Sequence, residues 1–209
     1  MKRILITILF LFSIPVLAAG PTVTDSVKAN INNATSITFS HTITAGNSNV
    51  IDFLFWSSAA GGTQPITATD NGGTMTCVDY NKNPSGHYQS YCWMVATTTG
   101  SMSTTVNLSA QGSMGVNLIT LKDTHQTNPV HLQALSMGGG ATTTLTNLFD
   151  GVASSTTFAN ELLVKQVNIG DAFTITDGAD ETNWDGTGSY GASSRYRIST
   201  KVATTTGAY

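Results

Sequence analysis

Along residues 36–43 apolar and polar side chains take turns: Ile37, Phe39, His41 and Ile43 on one side, Ser36, Thr38, Ser40 and Thr42 on the other. A period of two belongs to a β-strand with one covered face. The next run, 50–56, is apolar on nearly both faces, which suits a central strand buried from two sides. Between them Ala45, Gly46, Asn47 and Ser48 supply a four-residue turn, so the two runs read as a hairpin. The same reading gives strands at 66–69, 75–80, 89–96, 104–109, 115–121, 130–137, 142–148, 162–169, 173–176 and 195–202, with a turn at 70–73. No segment carries a helical stripe over ten or more residues. Short strands separated by Gly, Asn and Asp predict an all-β fold, a two-sheet antiparallel sandwich of jelly-roll or Ig-like type.

The first residues obey a different rule. Lys2 and Arg3 precede the apolar run 4–18, and Val16 and Ala18 present the small residues that a signal peptidase reads. The run falls short of the roughly 18–20 residues of a spanning helix, so 1–18 reads as a signal peptide and 19–209 as a single domain without a membrane span, secreted or held at the cell surface. Charged residues make up only 10% of the chain, and removal of Lys2 and Arg3 takes the formal charge from -3 to -5. The remaining cations, Lys28, Lys82, Lys122, Lys165, Arg195, Arg197 and Lys201, are scattered, which argues against a nucleic-acid partner.

Two further features concern architecture. VATTTG occurs at 95–100 and again at 202–207, and the same offset of 107 lays ITATD at 66–70 over FTITD at 173–177. After the second copy the sequence stops at Tyr209, where the first copy leads into more strands, so either the last strand is missing or a sheet edge is open to self-association. The chain also has two cysteines, and a hairpin centred on Pro84 and Ser85 sets Cys77 directly across from Cys92. Opposed residues of antiparallel strands lie within disulfide reach, and export makes oxidation available.

Candidate chemistry is sparse. If 36–43 and 50–56 form a hairpin, His41 faces Asp52 inside an apolar set. Two readings are open: a satisfied buried polar pair, or an acid/base pair awaiting a nucleophile. Glu181, Asn183 and Asp185 before Gly186 have the alternate spacing of half a calcium loop, but the twelfth position holds Ala192 in place of a bidentate Glu. Calcium is therefore the one cofactor these residues suggest, and the alternative is none at all. Tyr88, Trp184 and Tyr190 fall in expected loops and are candidates for a sugar-stacking surface. His87, His125 and His131 show no zinc-site spacing.

The segments 34–43 (ATSITFSHTI), 48–56 (SNVIDFLFW), 91–109 (YCWMVATTTGSMSTTVNLS) and 114–123 (MGVNLITLKD) resemble the Thr/Ser/Gly-rich β-sandwich domains of bacterial secreted proteins and phage structural proteins. The resemblance covers most of the mature chain and rests on strand patterning. It implies an accessory or structural module and supplies no catalytic residues. In such domains the final Thr-rich segment leads into one more strand. The expectation is thus a non-enzymatic exported module for surface attachment, glycan binding or structural assembly, with a glycan or a surface protein as partner. A phage virion component and a secreted hydrolase are the alternatives.

Overall fold

The computed structural model describes residues 20–46, 50–59, 66–80, 87–124, 155–156, 161–169, 180–190, 194–203 and 207–208. The expected strands at 130–137, 142–148 and 173–176, the turn residues 47–48, Pro84 and Ser85, the N-terminal segment 1–18, and His125 and His131 lie outside them. Within the described residues every regular element is a strand: β1 (Thr22–Ile43), β2 (Ile51–Ala59), β3 (Ile66–Asp70), β4 (Gly73–Thr74), β5 (Thr76–Tyr80), β6 (His87–Val95), β7 (Gly100–Lys122), β8 (Ser155–Thr156), β9 (Glu161–Ile169), β10 (Thr182–Tyr190), β11 (Ser194–Ala203) and β12 (Gly207–Ala208). They form a seven-stranded sheet in the order β4-β3-β7-β2-β6-β5 with β1 also on β7, a three-stranded sheet β10-β11-β9, and the pair β12-β8.

The organising element is β7. Sequence patterning predicts two strands here, at 104–109 and 115–121, whereas the structure has one. The polar stretch between them does not turn, because β1 stays paired along it: Ala34 faces Gly112, and Gln111 Nε2 donates to the Asn33 carbonyl at 2.7 Å, across register irregularities that follow Ile31 and Ala34. On its other side β7 carries β3 along Thr104–Leu108 and β2 along Ser113–Leu121. Met102, Thr104, Val106, Leu108, Met114, Val116, Leu118 and Thr120 all point inward. Residues from both halves of β7 meet in one apolar cluster with Ile37, Ala68, Met75 and Cys92, so the sheet folds over and packs its two halves together.

From Met114 to Leu121 no residue of β7 is exposed. The even positions face the cluster just described, whereas Ile119 and Leu121 face away from it and pack with Tyr91 and with Ile198 of β11. Covering by the three-stranded sheet is why this stretch reads as an almost unbroken apolar run while the start of β7 alternates. Tyr196 of β11, fully buried, joins the two sheets by donating its hydroxyl to the Ala29 carbonyl of β1 at 2.8 Å.

The expected β1–β2 hairpin is not formed. His41 pairs with Met102, and Asp52 with Met94 on one side and Thr120 on the other. A run apolar on both faces suits the interior of a covered sheet, and β2 lies between β6 and β7 with β1 beyond β7. The central position expected for 50–56 is thus observed, in a different connection.

The sequence echo has a structural counterpart. β6 starts at His87 and β11 at Ser194, and β7 starts at Gly100 and β12 at Gly207, both 107 residues apart. Strand neighbours repeat as well, β2-β6-β5 in the first sheet and β9-β11-β10 in the second. A strand does begin at the last residue of the second VATTTG, where Gly207 pairs with Thr156 as Gly100 pairs with Ile43.

Cys77 of β5 and Cys92 of β6 are directly opposed and disulfide-bonded, with Cα atoms 4.0 Å apart. Cys92 is fully buried and Cys77 packs on the same apolar cluster. The bond closes a loop with a sequence separation of 15, for which chain entropy gives a stabilisation of about 3 kcal/mol. Urea unfolding of the Cys77→Ser/Cys92→Ser double variant is expected to show that loss with the denaturant slope little changed.

Candidate functional site: a buried His-Asp-Asp cluster

Three strands deliver one polar cluster to the inside of the folded sheet. Asp70 ends β3, where Asn71 and Gly72, both at positive φ (44° and 83°), turn the chain into β4. Two consecutive residues with positive φ make the turn whose twist suits a tight hairpin, and Asn-Gly is the sequence that adopts it most readily. Asp70 lies opposite Thr104, whose Oγ1 donates to Asp70 Oδ1 at 2.9 Å. Asp52 in β2 lies opposite Thr120, whose Oγ1 donates to Asp52 Oδ1 at 2.8 Å. His41, inward on β1 between Phe39 and Ile43, directs Nε2 to Asp52 Oδ2 at 3.2 Å and to Asp70 Oδ2 at 3.6 Å. The side chains of His41 and Asp52 are 0% exposed and that of Asp70 1%.

The sequence places His41 across from Asp52 in a hairpin, whereas they meet here from two strands separated by β7, one on each half of the folded sheet. Asp70 is the member that sequence reasoning missed. In the sequence it marks only the start of a turn, and nothing in ITATDNGG shows that its carboxylate ends under His41.

Electrostatics follow from burial. Burial first, then the neighbouring Asp70 carboxylate and the charge of Asp25, push the Asp52 carboxyl up to about 8, against the opposing pull of Thr120. Burial also lowers the His41 pKa below its ordinary 6.5, partly offset by attraction to Asp70 and Asp25. The signs fix a pH dependence. Between about pH 4 and 8 the folded chain holds the Asp52 proton that the unfolded chain releases, so this group's contribution to stability declines as pH rises. Below 6.5 His41 acts in the opposite direction, because the unfolded imidazole takes up the proton that the folded one resists. Only the Asp52 decline operates from pH 6.5 to 8. In a chelating buffer stability is expected to fall over that window, by on the order of 1–2 kcal/mol at about 1.4 kcal/mol per unit. Chemical denaturation across pH checks this, and Asp52→Asn should flatten the profile.

The other candidate residues are not brought together with this cluster. Glu181 precedes β10, and Asn183 and Asp185 lie within it, so the acidic stretch expected as a loop is largely a strand with Asn183 opposite Ser199. Alternate residues of a strand share a face, and β10 bulges between Trp184 and Gly188, where Gly186 has φ 68°. Trp184, expected in a loop, packs between the sheets with Tyr91, Ile119 and Ile198, and its Nε1 donates to Thr200 Oγ1 at 2.9 Å. Tyr88 and Tyr190 also lie on strands, β6 and the end of β10. Polar composition and glycines hid β10 from the sequence reading. At Gly188 the space where a side chain would stand is filled by the ring of Tyr196 from the opposed position.

No family model matches the chain, and neither a curated protein nor a solved structure matches it.

Proposed function

We propose that the chain is a non-enzymatic, exported β-sandwich module that serves structural assembly or attachment at a surface. In this reading residues 1–18 form a signal peptide lost on export, and the stacked sheets form one body, with β5 and β6 of the first sheet clamped to each other by Cys77–Cys92. The observation that carries it is the sealing of the His41, Asp52 and Asp70 cluster. A hydrolase presents its acid and base in a cleft where substrate can come within hydrogen-bond reach. Here all three groups are 0–1% exposed, and each carboxylate spends one oxygen on a threonine hydroxyl. Such an arrangement suits a framework role, and the disulfide suits an oxidising compartment. Glycan binding at Tyr88, Trp184 and Tyr190 stays within this reading, with Trp184 half-buried against the cluster of Tyr91, Ile119 and Ile198.

The test is expression of the full chain in a bacterial host, followed by analysis of the exported protein. The expected product begins at Ala19, contains no free thiol, and self-associates or binds cell-surface material equally well in wild type and Asp52→Asn. Retention of the full N-terminus in the cytoplasm overturns the export reading. Hydrolysis of a polysaccharide or ester by the wild type, abolished in Asp52→Asn, overturns the non-enzymatic one.

A further inference from the structure

The threonine hydrogen bonds of the cluster leave two of its buried atoms, His41 Nε2 and Asp52 Oδ2, without partners. The single hydroxyl proton of Thr104 goes to Asp70 Oδ1, so towards His41 Nδ1, 3.4 Å away, the same oxygen acts as acceptor. Nδ1 is thus placed to carry the imidazole proton, and with burial holding His41 neutral, Nε2 presents a bare lone pair. That lone pair points at two carboxylate oxygens, Asp52 Oδ2 and Asp70 Oδ2. Nε2 and Asp52 Oδ2 are both buried and neither has a hydrogen-bond partner. Three electron-rich atoms thus converge, all within 4.8 Å of one another, in a place that water does not reach. Burying them together is costly unless a proton or a metal cation lies among them.

We propose that His41 Nε2, Asp52 Oδ2 and Asp70 Oδ2 are the protein ligands of a structural divalent transition-metal site of the zinc class. One imidazole and two carboxylates with a dication give a neutral buried assembly. Ligand separations of 3.2 and 3.6 Å match atoms that share a centre at the usual zinc bond lengths of about 2.0–2.2 Å. The imidazole selects against calcium and magnesium, which take oxygen ligands. Supporting contacts are those of a metal site: Thr120 and Thr104 each hold the second oxygen of one carboxylate, and Thr104 sits at the far nitrogen of the imidazole. Without metal, burial favours a proton on Asp52, which binding would displace. The site ties β1, β2 and β3 together across the inside of the folded sheet, so its effect would be to lock the two halves. This inference does not depend on the proposed function.

The experiment uses the full exported protein with its disulfide intact, stripped with EDTA and then titrated separately with Zn²⁺, Co²⁺, Ca²⁺ and Mg²⁺. Elemental analysis is expected to find one zinc per chain. The melting temperature should rise by about 5–10 °C at a hundredfold excess of Zn²⁺ over Kd. Co²⁺ should give visible ligand-field bands, and Ca²⁺ and Mg²⁺ should leave the melting curve in place. Asp70→Asn is expected to abolish binding, and Thr104→Val, which keeps the shape of the side chain, to weaken it 10- to 100-fold. Asp123→Asn, on the surface, should bind as wild type. Stripped wild-type protein that melts alike with and without Zn²⁺ and Co²⁺ overturns the proposal, as does a response to Ca²⁺ alone. Zinc binding of undiminished affinity in Asp70→Asn or Thr104→Val places the metal elsewhere and also overturns it. Should Asp70→Asn not fold, the wild-type titration and Thr104→Val decide.

Discussion

His41→Ala is expected to lower the stability of the chain by about 3–5 kcal/mol, as for truncation of other large buried rings in cores. His41 is 3% exposed and stands between apolar clusters: Ile43, Val50 and Met102 on one side, the main cluster with Ile37 and Val106 on the other. Truncation takes the imidazole from Asp52 and Asp70 together and leaves a hole that the folded sheet cannot readily close. Asp52→Asn serves as the contrast. It preserves shape and removes a group that burial already holds largely protonated at neutral pH, so its cost at pH 7 should stay near 1 kcal/mol or less. Urea denaturation of both variants in a chelating buffer makes the comparison. Equal losses would mean that His41 and Asp52 act as one ion pair, contrary to the expectation of a neutral Asp52.

Tyr196→Ala is expected to cost about as much, 3–5 kcal/mol, as for other large aromatic truncations in cores. Its ring is the largest fully buried side chain among the described residues, and it lies over Gly188 on the neighbouring strand. Its hydroxyl is also a direct bond from the second sheet to β1. Tyr196→Phe separates these contributions: it keeps the ring, orphans the Ala29 carbonyl, and should cost about 1–2 kcal/mol. Gly188→Ala tests the packing from the other strand. A methyl group there would overlap the Tyr196 ring, and overpacking of this kind typically costs about 1–3 kcal/mol. In the Tyr196→Ala/Gly188→Ala double variant the methyl group enters space that the ring has vacated, so the two losses should add to less than their sum. Simple additivity in urea titrations would show that Gly188 is required for its backbone and not for the ring.

Both effects concern residues whose neighbours come from distant parts of the chain, and this marks where the sequence stops being legible. Strand type was readable wherever one face is buried and the other wet, as in 36–43 and the start of β7, because alternation records burial directly. The Asn71-Gly72 turn was readable because few residues accept positive φ. The Cys77–Cys92 bond was readable for the same local reason, since a hairpin fixes which residues oppose each other. Strand β10 was not legible, because its inward positions include a glycine filled by a tyrosine from the next strand, and an absent side chain leaves no hydrophobic signal.

What the sequence by itself determined is therefore local: strand character, the tight turn, the hairpin register that pairs the cysteines, and an offset of 107 that reappears in the order of the strands. Only the tertiary structure decided that 100–122 is one strand, that β1 and β2 lie on opposite edges of it, and that Asp70 joins His41 and Asp52. The physical reason is that pattern reports how much of each residue is covered, and says nothing of what covers it. Which strand lies beside which is settled by long-range pairing and by the folding of the sheet on itself, and these brought three buried polar groups from separate strands into one cluster.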